Sequence, residues 1–294
     1  MNLYVSTSCL KDKKDVFEVL DTYHKSGITN VELGIWKRPV EKLSKINNYD
    51  CNFIVHHYFP PPQDAFVVNL ASQDETILAR SREQMRKSID FCHRFHIKLF
   101  SFHAGFRADP DSNFRFLKKG HITPYQKAFT TFVESVKEIN TYAEKRGVKL
   151  AVENNVLSEN NLVEGENRFL LLCEATEFER LWEEIPTDNL GILLDLGHLK
   201  VTSNWLNFDR HEFIERVKEK IFAIHINDNN GKSDTHSQVN KTSWCLEAIS
   251  RNNFTQIPLV LESTCVTIDQ INQQLRLIEA AAGYDAAQKV MSYE

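Results

Sequence analysis

Eight short runs of β-branched, aromatic and aliphatic residues recur along the chain, each followed by a longer stretch of helical periodicity. This alternation constrains the fold more than any other feature. The runs fall at 3–6 (LYVS), 30–34 (NVELG), 52–57 (NFIVHH), 97–103 (IKLFSFH), 148–154 (VKLAVEN), 190–197 (LGILLDLG), 221–228 (IFAIHIND) and 257–263 (IPLVLES). The spacing predicts helices over 12–25, 38–46, 75–95, 124–146, 168–184, 206–219, 239–250 and 266–282. In SQDETILARSREQMRKSIDFCHRF, Ile77, Leu78, Met85, Ile89, Phe91 and Phe95 recur at helical spacing, and SQDE suits a helix start. No Pro/Ser-rich linker divides the 294 residues. The expectation is an α/β fold with one domain over 1–294, a closed (β/α)8 TIM barrel, with a doubly wound open sheet as the alternative.

In such a barrel the C-terminal strand ends share one mouth, so their last residues belong together. They are Glu32, His56 or His57, His103, Glu153, Asp195 with His198, His225 with Asp228, and Glu262, with Asp234 and His236 in the loop after the seventh strand. One histidine on an apolar strand is more often a packing residue than a ligand, because a buried polar group needs only a hydrogen bond. An acid ending KLAVE or PLVLE carries a heavier desolvation cost unless it is paired or coordinated. The convergence is what argues for chemistry. One mouth cannot hold many neighbouring carboxylates and imidazoles without large mutual pKa shifts or a cation. Imidazole and carboxylate donors without thiolate suit Zn²⁺ or Mn²⁺, and the number of donors points to more than one ion. In HINDNNGKSDTH, Asn229, Asn230 and Gly231 are turn formers that bring Asp234 and His236 back to face the mouth.

The remaining composition narrows the classes. A net charge of −5 provides no global field toward phosphate backbones. Cys9, Cys51, Cys92, Cys173, Cys245 and Cys265 are scattered without a Cys-x-x-Cys pair, which predicts reduced, mostly buried thiols. The N-terminal MNLYVSTSCLKDKKD lacks a signal-peptide pattern and no unbroken apolar run is long enough to span a bilayer, so a cytoplasmic protein with no membrane partner is expected.

From VELG to LVLES the strand ends resemble the xylose isomerase-like TIM-barrel superfamily, which includes endonuclease IV and the sugar or sugar-phosphate isomerases and epimerases. The resemblance to endonuclease IV-type members implies nine ligands for three ions. They are His56 in VHHYF (with His57 as substitute), His103 in SFHAG, Glu153 in AVENN as a bridge, Asp195 and His198 in LDLGH, His225, Asp234, His236 and Glu262. Glu153, Asp195, His225 and Glu262 resemble the four ligands of single-metal epimerases. Two departures from endonuclease IV stand out: the loop FPPPQDAFVVNLAS after the first histidine carries three prolines, and LGH replaces the usual TCH.

Two functions follow from the resemblance. The favoured one is a metal-dependent sugar or sugar-phosphate isomerase or epimerase with one to three Zn or Mn ions and a small carbohydrate substrate. Glu153 and Glu262 would move a proton through an enediolate, and His198 would assist. The alternative is an endonuclease IV-type phosphodiesterase acting on abasic DNA, the only reading that brings in nucleic acid. Glu32, His57, Asp228 and Arg107 are expected to line the substrate space, and Arg107, Arg115, Lys118 and Lys119 are candidate phosphate contacts. A barrel that binds a small molecule without converting it leaves the buried acids unexplained.

Overall fold

The computed structural model describes residues 2–10, 13, 15–34, 40, 42–64, 66–111, 114–117, 120–265 and 267–283. Its centre is a closed barrel of eight parallel strands: β1 (Leu3–Ser6), β2 (Asn30–Leu33), β3 (Asn52–His56), β4 (Leu99–His103), β5 (Lys149–Glu153), β6 (Leu190–Asp195), β7 (Ile221–Ile226) and β8 (Leu259–Leu261). Each strand pairs with its sequence neighbours, and β8 closes onto β1 through Leu3 opposite Leu259 and Val5 opposite Leu261. Sequential parallel strands need a crossover between them, which the helices provide.

Strand residues alternate between two cores. Ile54, Leu99, Ala151, Leu193, Ala223 and Val260 fill the barrel interior together with Tyr4 and Phe222. The residues between them, such as Val55, Phe100, Phe102, Val152 and Leu194, pack outward into the layer shared with the helices. Phe100 and Phe102 are fully buried there, each contributing about 1.5–3 kcal/mol relative to an exposed ring. The period of two then aims a second set of side chains inward, one step nearer the C-terminal mouth: His56, Ser101, Glu153, Asp195, His225 and Glu262 each sit two residues beyond an interior core residue.

The helices are α1 (Val16–Lys25), α2 (Glu75–Arg94), α3 (Tyr125–Glu144), α4 (Ala175–Glu184), α5 (Leu196–Leu206), α6 (Arg210–Val217), α7 (Trp244–Arg251) and α8 (Ile268–Ala281). Asp74 caps α2 by accepting from Thr76 and Ile77 backbone N–H groups, which is why the helix starts at SQDE. Three sequence expectations need correction. The stretch predicted as a helix over 38–46 gives a 3₁₀ turn at Leu43–Asn48, with 38, 39 and 41 outside the described residues. The helix expected from 168 begins only at Ala175, because a two-stranded hairpin (Leu162–Val163 with Glu166–Asn167) and a left-handed Leu172 precede it. LGHLKVTSNWL forms α5, where strand and loop were expected, because Asp195 ends its strand and caps the helix through the His198 N–H. Among the described residues no helix is long and apolar enough to cross a membrane. The six cysteines are free thiols, Cys51 half-buried and the rest buried.

Candidate metal centre

Strand register sets the site. His103 lies opposite Glu153 on β4 and β5, and Asp195 opposite His225 on β6 and β7. Glu262 follows β8 by one residue, its N–H donating to the Ile226 carbonyl at 3.0 Å. Asp234 and His236 return on a loop closed by paired hydrogen bonds between Asp228 and Ser237. Asn229 and Asn230 accept from the backbone of Gly231, Lys232 and Ser233. Gly231 has a φ of 74°, and a Cβ there would strike Asn204 Nδ2 at 2.3 Å.

The nine side chains form three donor groups, each with one donor atom per residue within 4.8 Å of the others. The first is His56, His103 and Glu153; the second is Glu153, Asp195, His225 and Glu262; the third is His198, Asp234 and His236. Glu153 belongs to two of them. Its Oε2 lies 3.1 Å from His103 Nε2 and its Oε1 3.2 Å from His225 Nδ1. In the third group Asp234 Oδ2 lies 3.4 Å from His198 Nε2 and 2.9 Å from His236 Nε2. A further set, Glu32, His56 and His225, meets the same distance limit.

Parity separates His56 from His57. His56 points into the barrel, its Nε2 3.2 Å from His103 Nε2. His57 lies just beyond the strand end, buried against Tyr58 with its ring centroid 5.2 Å from that of His103, and neither ring nitrogen is hydrogen-bonded among the described residues. Of the residues expected to line the substrate space, none of Glu32, His57, Asp228 and Arg107 reaches the cavity wall. Glu32 is fully buried and bound to His225 Nε2 at 2.8 Å. Asp228 is consumed by Lys200 and Ser243, each at 2.6 Å. Arg107 donates to the carbonyls of Thr123 and Asn167. Arg115 does line the cavity, whereas Lys118 and Lys119 lie outside the described residues.

The electrostatics ask for cations. Glu153, Asp195 and Glu262 are 2%, 0% and 5% exposed, three carboxylates around one imidazole, and such burial is costly without opposite charge. Burial raises the Glu262 carboxyl, but His225 and His236 outweigh it and bring it down to about 2. Burial lowers His236, yet Glu262 and Asp234 hold it up at about 10. Burial also opposes charge on His225, and Glu32 and Glu262 overcome it and keep that imidazole well above its ordinary range. His56 goes well below the ordinary range through burial, and neighbouring His225 and His103 push it further.

A divalent cation would bring the same opposite charge to these carboxylates. The donor geometry fits cations better. His225 Nδ1 lies 2.9 Å from Glu262 Oε2 yet makes no aligned hydrogen bond, and Glu153 Oε2 and Asp234 Oδ1 are likewise buried without one. Outer nitrogens, by contrast, are held: His56 Nδ1 by the Ser101 hydroxyl, His198 Nδ1 by the Asn154 carbonyl and His236 Nδ1 by the Glu262 carbonyl, each at 2.9 Å. Such partners fix the ring orientation and leave the inner nitrogens free to coordinate. Sequence reasoning missed Asn154 and Asn227. Asn154 bridges to the Asp195 backbone, while Asn227 donates to both Asp195 carboxylate oxygens at 3.3 and 3.1 Å. Asn227 shares the inward parity of His225, and that was the signal available for it.

Above the donors opens a cavity of about 670 Å³, walled by Phe106, Phe114 and Phe116 on one side and by Asn155 and Ser158 among others, with Arg115 contributing a positive charge. Its size suits a small molecule or the reacting part of a larger one.

Comparison with known proteins agrees with this architecture. An uncharacterised protein of Methanocaldococcus jannaschii is 27% identical over 265 residues, covering 86% of each chain. A probable endonuclease 4 of Sulfurihydrogenibium sp. is 23% identical over 236 residues, 75% of each. The crystal structure of a D-tagatose 3-epimerase-like protein superposes with a TM-score of 0.75 at 17% identity, covering 99% of this chain and 100% of that one. The family model described as xylose isomerase-like TIM barrel matches residues 16–291, and the chain belongs to that family.

Proposed function

We propose that this protein is a divalent-metal-dependent hydrolase of phosphate esters, with Zn²⁺ or Mn²⁺ held by the three donor groups. One observation carries the reading: Glu153 is shared between two groups beside a complete third one. A single-ion epimerase would take only Glu153, Asp195, His225 and Glu262 as ligands, which leaves His56, His103, His198, Asp234 and His236 outside its ligand set. Divalent ions in such an array supply Lewis acidity toward phosphoryl oxygens and a nucleophilic water at neutral pH.

The chain's own residues do the rest. Glu153 sets the spacing between the first two groups through its two oxygens. Asp234, between His198 and His236, fixes the third against them. Arg115 places a charge where an ester anion enters, and the phenylalanine wall limits water and receives the non-reacting part of the substrate. The similarity to the probable endonuclease 4 supports this chemistry.

The isomerase or epimerase is the second reading, favoured by one contact set. Glu153 Oε1 and Glu262 Oε2 approach the same His225 Nδ1, at 3.2 and 2.9 Å, so two carboxylates flank one position and could remove and return a carbon-bound proton. The structural likeness to the D-tagatose 3-epimerase-like protein accords with it.

The test is hydrolysis of bis(p-nitrophenyl) phosphate and of a duplex carrying an abasic-site analogue by metal-replete protein, with Glu153→Gln as control. Hydrolysis that disappears in the variant supports the proposal. Metal-loaded protein that cleaves neither substrate, yet interconverts a sugar or sugar phosphate, overturns it in favour of the second reading.

A further inference from the structure

The three donor groups are not equivalent behind their imidazoles. His198 and His236 lean on backbone carbonyls and His56 on a hydroxyl. His225 leans on a carboxylate: Glu32 Oε2 lies 2.8 Å from its Nε2, and both side chains are 0% exposed. Glu32 reaches this place because β2 alternates, with Val31 and Leu33 packing outward while Glu32 points into the barrel. It does not line the cavity, so a substrate cannot touch it.

We propose that Glu32 is a positioning residue that makes the four-donor group of Glu153, Asp195, His225 and Glu262 the tightest of the three ion sites, the one that fills first. This rests on the metal-holding part of the function proposed above and not on the reaction assigned to it. A carboxylate that accepts the Nε2 proton directs the Nδ1 lone pair toward the ion and makes that nitrogen a stronger donor. Three carboxylates converge in this group, against one in each of the other two, so its field for a divalent cation is the strongest. The unaligned approach of His225 Nδ1 to Glu153 and Glu262 is the arrangement expected of a donor held ready for an ion between them.

The experiment titrates chelator-stripped full-length protein with Zn²⁺ alone, against a chelating indicator, for the wild type and for Glu32→Gln. The expected result is a first equivalent weakened by on the order of 10- to 100-fold, with total capacity and the later equivalents unchanged. The visible spectrum of the first Co²⁺ equivalent should shift in parallel, which a merely structural role would not produce. Unchanged first-equivalent affinity overturns the proposal. So does loss of a whole equivalent at saturation, since Glu32 would then be a ligand in the set with His56 and His225. If the variant does not fold, imidazole ¹⁵N shifts of His225 in Zn²⁺-loaded wild type decide: protonated Nε2 with coordinated Nδ1 is expected, and the reverse overturns it. Protein that binds ions as described but hydrolyses no phosphate ester would sink the functional reading and leave this one standing.

Discussion

Gly197, in LDLGH, sits in the first turn of α5, where a Cβ would lie 1.9 Å from Asn227 Oδ1 and 2.7 Å from its Cγ, although ordinary contact begins at 3.4 Å. Two effects of Gly197→Ala oppose each other. Helix propensity favours alanine by about 1 kcal/mol. Against it, Asn227 is 1% exposed and cannot swing into solvent, so the clash displaces the amide that donates to both Asp195 oxygens. Hydrogen bonds to a charged group contribute about 1.5–3 kcal/mol each. Asp195 keeps the His198 N–H at 2.7 Å as a partner, so only part of that sum is lost, and a net destabilisation of about 2–4 kcal/mol is expected. Urea denaturation of metal-free protein measures it. Gly197→Ala together with Asn227→Ala should show strong non-additivity, because removing the amide removes the clash. A single variant as stable as the parent, or more stable, would mean that helix propensity outweighs the contact and that Asn227 is not displaced.

Three further outcomes are expected. His236→Ala should lower the ion content of saturated protein by one equivalent, read by elemental analysis, while the groups around Glu153 keep theirs. In metal-free protein His236 is raised to about 10, so its contribution to stability is full below the ordinary imidazole value of 6.5 and fades as pH rises through 10. Glu262, lowered to about 2, contributes fully above the ordinary 4.5 and fades as pH falls through 2. Thermal denaturation of metal-free protein should therefore show these two contributions together in full only between about pH 4.5 and 6.5, with a gradual decline on either side, and Zn²⁺ should stabilise increasingly as pH rises because it displaces protons. Phe114→Ala, at a side chain 45% exposed on the cavity wall, should change stability by less than about 0.5 kcal/mol and raise KM for the substrate identified.

The barrel was legible because burial on both faces makes each parallel strand a dense apolar run, and eight such runs alternate with helical patterns. The convergence of Glu153, Asp195, His225 and Glu262 was legible because an acid or imidazole directly after such a run has few stable states short of pairing or coordination, whereas the wider set of nine came from the family resemblance. What escaped were the consequences of side-chain direction. NFIVHH contains two adjacent histidines, and only the parity shared with Ile54 shows that His56 faces inward. Glu32 was read as a substrate contact because it ends a strand, yet it lies beneath the donors and meets His225. Asp228 and Arg107 have the right chemistry at the right strand ends, but Lys200 and the Thr123 carbonyl claim them first. Helix α5 escaped because Asp195 serves at once as strand end, helix cap and donor, and a single-residue junction leaves no turn signal. The hairpin of Leu162–Val163 and Glu166–Asn167 is too short to show a period.

Under the proposed function nine side chains hold ions in three groups, two of them joined by Glu153. Anomalous diffraction from a crystal of Zn²⁺-loaded protein tests it most directly. Three peaks are expected, with Glu153 touching two of them and His198, Asp234 and His236 surrounding the third. A single peak within Glu153, Asp195, His225 and Glu262 at saturating Zn²⁺ would contradict it.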